Sequence, residues 1–384
     1  MTDVVIAGIG QTPAGEQWEL SLRDLSARAI RAALKDAGGL KPQALYVGNF
    51  LGSVLSHQAN LGALINENMA LDGVESFTAE AAGASGAAAL RMGYLAIASG
   101  FVDVAVVVGV EKYTDTLGAE SDAALAQTMD YDFEAVPGLN PTAQGALLMR
   151  RYMHEYHVPA DGLAGFALLA HANGVHNPNA MFRKAISLEA YQRAEMISEP
   201  LNLFDMAPYA DGAAALVLTR PELARGGGRP LVRVSGSAVA IDTLALHDRP
   251  DLLSFEAARI SVERACRQAG ILPADVDFFE LSDDFSIYAA LSLEAAGFAR
   301  RGTGWCMARD GMLARGAKLP VNPLGGQKAR GNTLGASGVY QAVEATLQLR
   351  GEAGAGQLEK ARRALVQCLG GPASTAITHV LERV

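Results

Sequence analysis

The sequence has few cysteines, no long apolar run and no excess of positive charge, and each absence excludes a class of protein. Its three cysteines, Cys266, Cys306 and Cys368, are widely spaced and odd in number, so they predict neither a disulfide framework nor a zinc site. Apolar runs such as Val104–Val108 are far shorter than the roughly 20 residues of a membrane helix. With 32 basic and 41 acidic residues, the chain lacks the positive surface that binds nucleic acid.

The first residues, MTDVVIAGIGQT, contain no basic stretch, no long apolar segment and no small-residue cleavage site. They predict a β-strand that runs into a turn rather than a targeting segment. We therefore expect a cytoplasmic protein. Half of the 384 residues are hydrophobic, so the chain is long and apolar enough for two or three folded units.

The chain contains two copies of one unit, which are recognised by matches in the same order. In each copy an apolar-periodic helix ends at Ala-Gly and is followed by a turn and a strand; these passages begin at Ala27 and Ser261. Each copy then has Gly-Ala-Ser-Gly at the start of another helix, at Gly83 and at Gly335. A β-branched strand that ends in glycine follows. Because these strands are continuously apolar, we predict an α/β fold with buried sheets.

The repeat divides the chain into three regions. We assign residues 1–115 plus 209–223 to an N-terminal half and residues 231–384 to a C-terminal half. Residues 116–208 form a predicted helical insertion that is rich in Met, His, Tyr and Asn. The sequence ARGGGRP, Ala224–Pro230, is the predicted linker into the second half.

The glycine-containing turn at Gly83 predicts either a ligand site or a helix-packing site. Backbone N–H groups and the helix dipole converge at a helix N-terminus and favour negative charge there. Small residues also let a ligand or another backbone approach closely. Small residues at four-residue intervals equally allow two helices to pack tightly, and both interpretations remain open. No Walker lysine and no acidic residue with dinucleotide-fold spacing follows, which argues against nucleotide binding.

Taken together, the motifs resemble those of the thiolase superfamily, in particular its archaeal and lipid-transfer-protein-type members, over nearly the whole chain. The matching passages include EAAGASGAAALR, VVVGVEKYTD, HANGVHNPNAMFRK, APYADGAAALVLT and NPLGGQKARGNTLGASGVYQ. The resemblance implies a duplicated five-layered α-β-α-β-α core with an inserted loop domain. It also implies a coenzyme A thioester as substrate, with no covalently bound cofactor and no metal.

The same resemblance shows which catalytic residues are missing. Gly83 stands at the position of the family's nucleophilic cysteine, and Ser282 and Asn332 stand at the positions of its two histidines. An acyl-enzyme needs a thiolate or an activated hydroxyl, so ordinary thiolysis at Gly83 is excluded. Only Cys368, in a Cys-x-Gly-Gly setting, matches a family catalytic residue, the acid/base cysteine.

Four residues are therefore catalytic candidates: Asn332, Cys368, Asp284 and Ser282. Asn332 can donate a hydrogen bond to a thioester carbonyl, or it is an ordinary loop asparagine. Asp283 and Asp284 are adjacent, so on a strand only one of them faces the pocket. By motif position we take Asp284 as the candidate base and Asp283 as the structural one. The alternative for Cys368 is a small buried hydrophobic residue.

The candidates for substrate binding come from the two turns and the Cys-x-Gly-Gly motif: Gly83, Ser85, Gly335, Ser337 and Gly370. Ser85 has the alternative role of a helix-start hydroxyl. The tyrosines Tyr113, Tyr131 and Tyr209 are interpreted as core or interface aromatics rather than acids.

Three functions remain open. The first is a lyase that makes or breaks C–C bonds of acyl-CoA by aldol chemistry, as in thiolase-like steroid side-chain aldolases, which also lack the nucleophile. The catalytic tyrosine of those aldolases falls near Ser282, where this chain has none. The second is a non-catalytic subunit of a hetero-complex. The third is an acyltransferase that uses Cys368.

The resemblance also implies partners. It predicts a homodimer whose first-half sheets pair across a two-fold axis, and a small OB-fold, zinc-ribbon protein that helps to hold coenzyme A. We expect neither nucleic acid nor a membrane as a partner.

Overall fold

A computed structural model describes residues 2–224 and 228–384. Part of the predicted linker Ala224–Pro230, namely residues 225–227, lies outside the described residues. Within the described ranges, no helix combines the length and apolar character needed to cross a membrane.

The first half alternates strands and helices along the chain. Its elements before the insertion are β1 (Val5–Gln11), α1 (Leu22–Asp36), β2 (Ala44–Gly48), α2 (Leu61–Asn68), β3 (Glu75–Ala79), α3 (Ser85–Ser99) and β4 (Val104–Glu111). Helix α1 begins at a capping box, in which the Ser21 hydroxyl accepts from the Asp24 N–H at 3.2 Å and the Asp24 carboxylate accepts from the Ser21 N–H at 3.1 Å. Its buried face then packs on the sheet.

The inserted region contains α-helices, as predicted, and it also contains a short β-hairpin that the sequence did not indicate. Its helices and strands are α4 (Ala119–Leu125), α5 (Pro141–Tyr156), α6 (Ala164–Gly174), α7 (Leu188–Gln192), β5 (Met196–Ser198) and β6 (Leu201–Asn202). A π-helical turn, Tyr131–Ala135, lies between α4 and α5. The strands of the hairpin are only two and three residues long, which is too short for a periodic signal.

Strand β7 (Gly212–Thr219) returns to the first half, and the second half follows. The later elements are β8 (Val232–Ile241), α8 (Glu256–Ala269), β9 (Phe278–Glu280), α9 (Ser286–Ala295), α10 (Gly304–Arg309), α11 (Gly326–Arg330), α12 (Ser337–Arg350), β10 (Arg363–Gly370) and β11 (Thr375–Arg383).

The strands form one mixed sheet in the order β3-β2-β4-β7-β1-β8-β11-β10-β9. Strand β2 is parallel to β3 and β4, whereas β7 is antiparallel to β4 and β1. In the second half, β10 is parallel to β9 and antiparallel to β11, which is antiparallel to β8. The order therefore runs as two sets, of five and four strands, that meet at a short antiparallel contact between β1 and β8, and β2-β4-β7-β1 in the first set corresponds to β9-β10-β11-β8 in the second. This arrangement confirms the predicted α/β class and the duplication.

The strands bury both faces. In the first half, Leu45 and Val108 pack with α1 in one core, whereas Tyr46 and Val107 pack with α3 and α12 in another. In the second half, the outward face packs with α8 and α9. Helices α3 and α12 therefore lie between the two sets of strands, and α1, α8 and α9 lie outside, so five layers result.

The two Gly-Ala-Ser-Gly turns allow α3 and α12 to pack closely. A Cβ at Gly86 would lie 2.8 Å from the carbonyl oxygen of Gly335, and a Cβ at Gly338 would lie 2.5 Å from the backbone nitrogen of Ala87. Neither position has room for a side chain. The helix-packing interpretation of these turns therefore accounts for their last glycines, while Gly83 lines a cavity.

Candidate active site

A narrow cavity of about 50 Å³ lies at the start of α3, where loops from both halves and the inserted region meet. Its lining combines apolar side chains with a few polar groups. The lining residues are Gly83, Leu125, Thr128, Pro141, Gln144, Met206, Ala207, Tyr209, Asp284, Phe285, Tyr288, Asn332, Leu334, Leu369 and Gly371. In the part of the chain that the structure describes, no cysteine, serine, lysine or histidine lines this cavity.

Gly83 reaches the cavity through a strained turn. Ala82, immediately before it, has a positive φ of 51°, a conformation that side chains disfavour. Ser85 holds the turn, because its hydroxyl donates to the Ala82 carbonyl at 2.6 Å and accepts from the Ala81 N–H at 2.9 Å. The hydroxyl of Ser85 is thus engaged at the helix start. The turn presents the N-terminal end of α3, with its dipole, to the cavity.

Asp284 provides the carboxylate of the cavity. Strand β9 ends at Glu280, so Asp283 and Asp284 lie in the turn that follows it. Their side chains point in different directions, but this does not come from the alternation of a strand. Asp283 is buried and accepts from the Gln327 N–H at 2.7 Å, whereas Asp284 lines the cavity. Burial, and then the charge of Asp283, raise the pKa of Asp284 to about 6. Such a carboxyl can both take and return a proton near neutral pH.

Asn332 lies beside Asp284 with its amide in a fixed orientation. Its Oδ1 accepts from the Leu334 N–H at 3.0 Å, so its Nδ2 is turned the other way and donates to Asp284 Oδ1 at 2.9 Å. An amide nitrogen has two hydrogens, and the second is available to a ligand in the cavity. The geometry is that of a donor for an oxyanion.

Gln327 connects this pair to the rest of the site, and sequence reasoning missed it. Its Nε2 lies 3.3 Å from Asp284 Oδ1, 3.1 Å from Asn332 Oδ1 and 3.1 Å from Ser337 Oγ. Gln327 lies five residues before Asn332 in the quoted motif, but its role follows only from the fold of α11 against the turn after β9. One short helical turn brings the glutamine beside the asparagine.

Two tyrosines also line the cavity, Tyr209 and Tyr288. The sequence predicts Tyr209 as a core or interface aromatic, and it gives no signal for Tyr288. Burial raises the pKa of both phenols, and the neighbouring charge of Asp284 adds to the effect at Tyr288. Both phenols are therefore neutral hydrogen-bonding groups. Tyr113, by contrast, is buried and donates to the Asn332 carbonyl at 2.6 Å.

The structure does not bring Cys368 or Ser282 to the cavity lining. The thiol of Cys368 is fully buried and donates to the Gly83 carbonyl at 3.3 Å. Burial raises its pKa to about 12, so a thiolate does not form at neutral pH. Ser282 is also buried, and its hydroxyl accepts from the Leu369 N–H at 3.0 Å. Both side chains support the backbone around the cavity.

The remaining binding candidates lie outside the lining as well. Gly335 is at the second-half turn, where the carboxylate of Glu111 accepts its N–H at 3.1 Å. The same carboxylate accepts from the N–H groups of Phe50 and Leu51, each at 3.0 Å. Ser337 contacts Gln327, and Gly370 ends β10 beside Ala81. These residues therefore support the residues around the cavity without lining it.

Comparison with known proteins identifies the family. The model of "Thiolase, N-terminal domain" matches residues 4–222, and that of "Thiolase C-terminal domain-like" matches residues 238–383. The chain is 39% identical to an acetyl-CoA acetyltransferase of Methanothermobacter thermautotrophicus over 385 residues, covering all of both chains. The chain belongs to the thiolase family.

Proteins named for a different activity are also similar to this chain. A steroid side-chain-cleaving aldolase of Thermomonospora curvata is 28% identical, over 88% of this chain and 88% of its own. The solved structure of an Ltp2-ChsH2(DUF35) aldolase superposes with a TM-score of 0.85 at 26% identity, covering 100% of this chain and 98% of that one. The family to which the chain belongs therefore includes acyl-CoA acetyltransferases and aldolases, and its substrates are coenzyme A thioesters.

Proposed function

We propose that this chain is an acyl-CoA carbon–carbon lyase that acts by retro-aldol or aldol chemistry without an acyl-enzyme. The observation that carries the proposal is the pairing of Asp284 with Asn332 in a cavity that Gly83 lines. A base and an oxyanion donor remain where the nucleophile is missing. Aldol chemistry needs those two groups and no covalent intermediate.

In the cleavage direction, the Asp284 carboxylate takes the proton of the β-hydroxyl group of a β-hydroxyacyl-CoA. The oxygen then forms the carbonyl of the released aldehyde or ketone as the Cα–Cβ bond breaks. The electron pair of that bond moves into the thioester as an enolate, whose oxygen accepts from Asn332 Nδ2 and from the start of α3. Protonation of Cα by Asp284 gives the shortened acyl-CoA and restores the carboxylate.

Deuterium exchange tests the proposal without knowledge of the second product. In D₂O the enzyme should exchange the α-hydrogens of acetyl-CoA, and mass spectrometry of the recovered thioester measures the rate. Asp284→Asn should lose the exchange, because an amide does not take the proton. Asp132→Asn, an exposed aspartate outside the lining, is the matched control and should keep it. Exchange that survives Asp284→Asn would remove Asp284 as the base.

A second candidate is a non-catalytic subunit of a hetero-complex. The observation that favours it is the cavity volume of about 50 Å³, well below the several hundred Å³ typical of small-molecule pockets. If neither exchange nor cleavage of 3-hydroxybutyryl-CoA occurs, alone or with a partner, this candidate replaces the lyase. The acyltransferase alternative predicts an acyl adduct on Cys368, and its buried, protonated thiol gives that alternative no support.

We also propose two partners. Strand β3 is one of the two edge strands of the sheet and exposes Glu75 and Phe77, so a second copy of the chain can pair there to form a homodimer. The solved aldolase relative pairs Ltp2 with a DUF35 protein. We extend this to a small partner of the OB-fold, zinc-ribbon kind that helps to hold coenzyme A. Co-purification and light scattering test both assemblies.

A further inference from the structure

Gln327 is a buried glutamine that bonds to Asp284 and Asn332 and to the residues behind them. Its Oε1 accepts from the Asp283 N–H at 3.0 Å, and its own N–H donates to Asp283 Oδ1 at 2.7 Å. Its Nε2 faces Asp284, Asn332 and Ser337 at 3.1–3.3 Å. The side chain does not line the cavity, so it reaches a ligand only through these neighbours.

These bonds determine which way the Asn332 amide points. Three donors converge on its Oδ1: the Leu334 N–H at 3.0 Å, Gln327 Nε2 at 3.1 Å and the Ser337 hydroxyl at 3.4 Å. With its oxygen occupied, Asn332 turns its nitrogen to Asp284 and the cavity. If the amide rotated, its oxygen would face the Asp284 carboxylate and the donor would be lost.

We propose that Gln327 is a positioning residue of the site. It holds the side chains of Asp284 and Asn332 in their positions relative to each other and fixes the Asn332 amide as a donor. The effect of this positioning on catalysis rests on the proposed function. Gln327 acts through two residues and contacts no substrate. A hydrophobic side chain at position 327 would leave Asp284 with one fewer donor and Asn332 free to rotate.

Several titratable groups lie near Asp284 and influence its titration. Asp283 is its neighbour in the chain, Lys328 lies on α11, and Tyr288 and Cys368 face it from α9 and β10. A substitution at Gln327 replaces none of these groups and keeps the bond from the backbone N–H of residue 327 to Asp283 Oδ1, although a hydrophobic side chain there also removes the acceptor of the Asp283 N–H. A change in the titration of Asp284 would therefore report the lost hydrogen bond and its consequences.

The test is Gln327→Leu, with Gln341→Leu as matched control. Gln341 is an equally buried glutamine on α12 that bonds to the Gln367 carbonyl, away from the cavity. Carboxyl-¹³C aspartate NMR, with the Asp284 signal assigned through Asp284→Asn, measures the titration midpoint. We expect the midpoint to move upward in Gln327→Leu and to stay unchanged in the control. Gln327→Met, which has about the length of glutamine and removes the same donor without adding a charge, should move the midpoint upward too if Gln327→Leu fails to fold.

Deuterium exchange gives the catalytic readout. Gln327→Leu should lower kcat about tenfold or more and leave KM within about twofold, because positioning is lost while the lining is intact. Unchanged midpoints in both Gln327 variants would overturn the inference, even if the wild type exchanges rapidly. Absence of exchange in the wild type would instead overturn the proposed function, and the NMR midpoints would still decide the structural role of Gln327.

Discussion

The pKa of Asp284 makes a prediction about stability that needs no substrate. Burial and the charge of Asp283 raise this pKa from 3.8 to about 6, so the folded protein binds the proton more tightly than the unfolded chain does. The charged carboxylate therefore destabilises the fold above pH 6, and this penalty is relieved as the pH falls through 6 towards 4. The pKa of Asp284 differs by about two units between the folded and unfolded states. This difference corresponds to a destabilisation of at most about 3 kcal/mol at 25 °C.

Asp284→Asn removes the charge and keeps the shape. It also weakens the bonds from Asn332 and Gln327, which offsets about 1 kcal/mol of the gain. Above pH 7 we expect the variant to be more stable than the wild type by about 1–2 kcal/mol. Between pH 8 and pH 5 this advantage should shrink by about 1.4 kcal/mol, because the wild-type carboxyl becomes protonated in the folded state.

Urea unfolding at a series of pH values measures this difference directly. Taking the difference between variant and wild type cancels the contributions of the buried carboxyls that lie far from position 284, which both proteins share. Asp132→Asn, on the surface, should show no trend of this kind. A variant that is less stable than the wild type by the same amount at pH 8 and at pH 5 would show that the carboxylate is not penalised in the fold, and the reasoning would be refuted.

Three further predictions concern the turns and the thiol. Ala82→Gly should raise the free energy of unfolding by about 0.5 kcal/mol, because it relieves the positive φ at the cost of chain entropy; a loss measured by urea unfolding would contradict this. Glu111→Ala should lower it by about 3 kcal/mol or more, since three backbone N–H groups lose their acceptor, and a loss below 1 kcal/mol in the same assay would show that water replaces the carboxylate. A maleimide should label the partly exposed Cys306 in the folded protein and leave Cys368 unmodified; mass spectrometry that finds equal labelling would contradict the burial argument.

The sequence predicted the architecture well because the architecture depends on periodic, repeated signals. The apolar strand that contains Val104–Val108 and the helix that starts after Gly83 are visible in the order of the residues, and their second copies confirm them. The β5–β6 hairpin escaped prediction because strands of two or three residues have no period. The exact boundaries of the three regions and the cytoplasmic location stay predictions.

The site was harder to predict, because it depends on contacts between distant parts of the chain. Asp284 and Asn332 were named from motif positions, and the structure brings them within 2.9 Å of each other. Cys368 was also named from a motif, yet its side chain points to the Gly83 carbonyl and not into the cavity. Gln327 and Tyr288 had no signal of their own in one sequence, because their position comes from the packing of α11 and α9.

The two turns at Gly83 and Gly335 share one backbone geometry but have different surroundings. Both turns place a helix start behind a residue with positive φ, Ala82 in one copy and Leu334 in the other. In the second copy, the Glu111 side chain accepts a hydrogen bond from the Gly335 N–H at that helix start. This internal acceptor links the two halves, because it bonds to Gly335 in one half and to Phe50 and Leu51 in the other. Of the two turns, the one at Gly83 lines a cavity, so a ligand can reach a helix start there and not at Gly335.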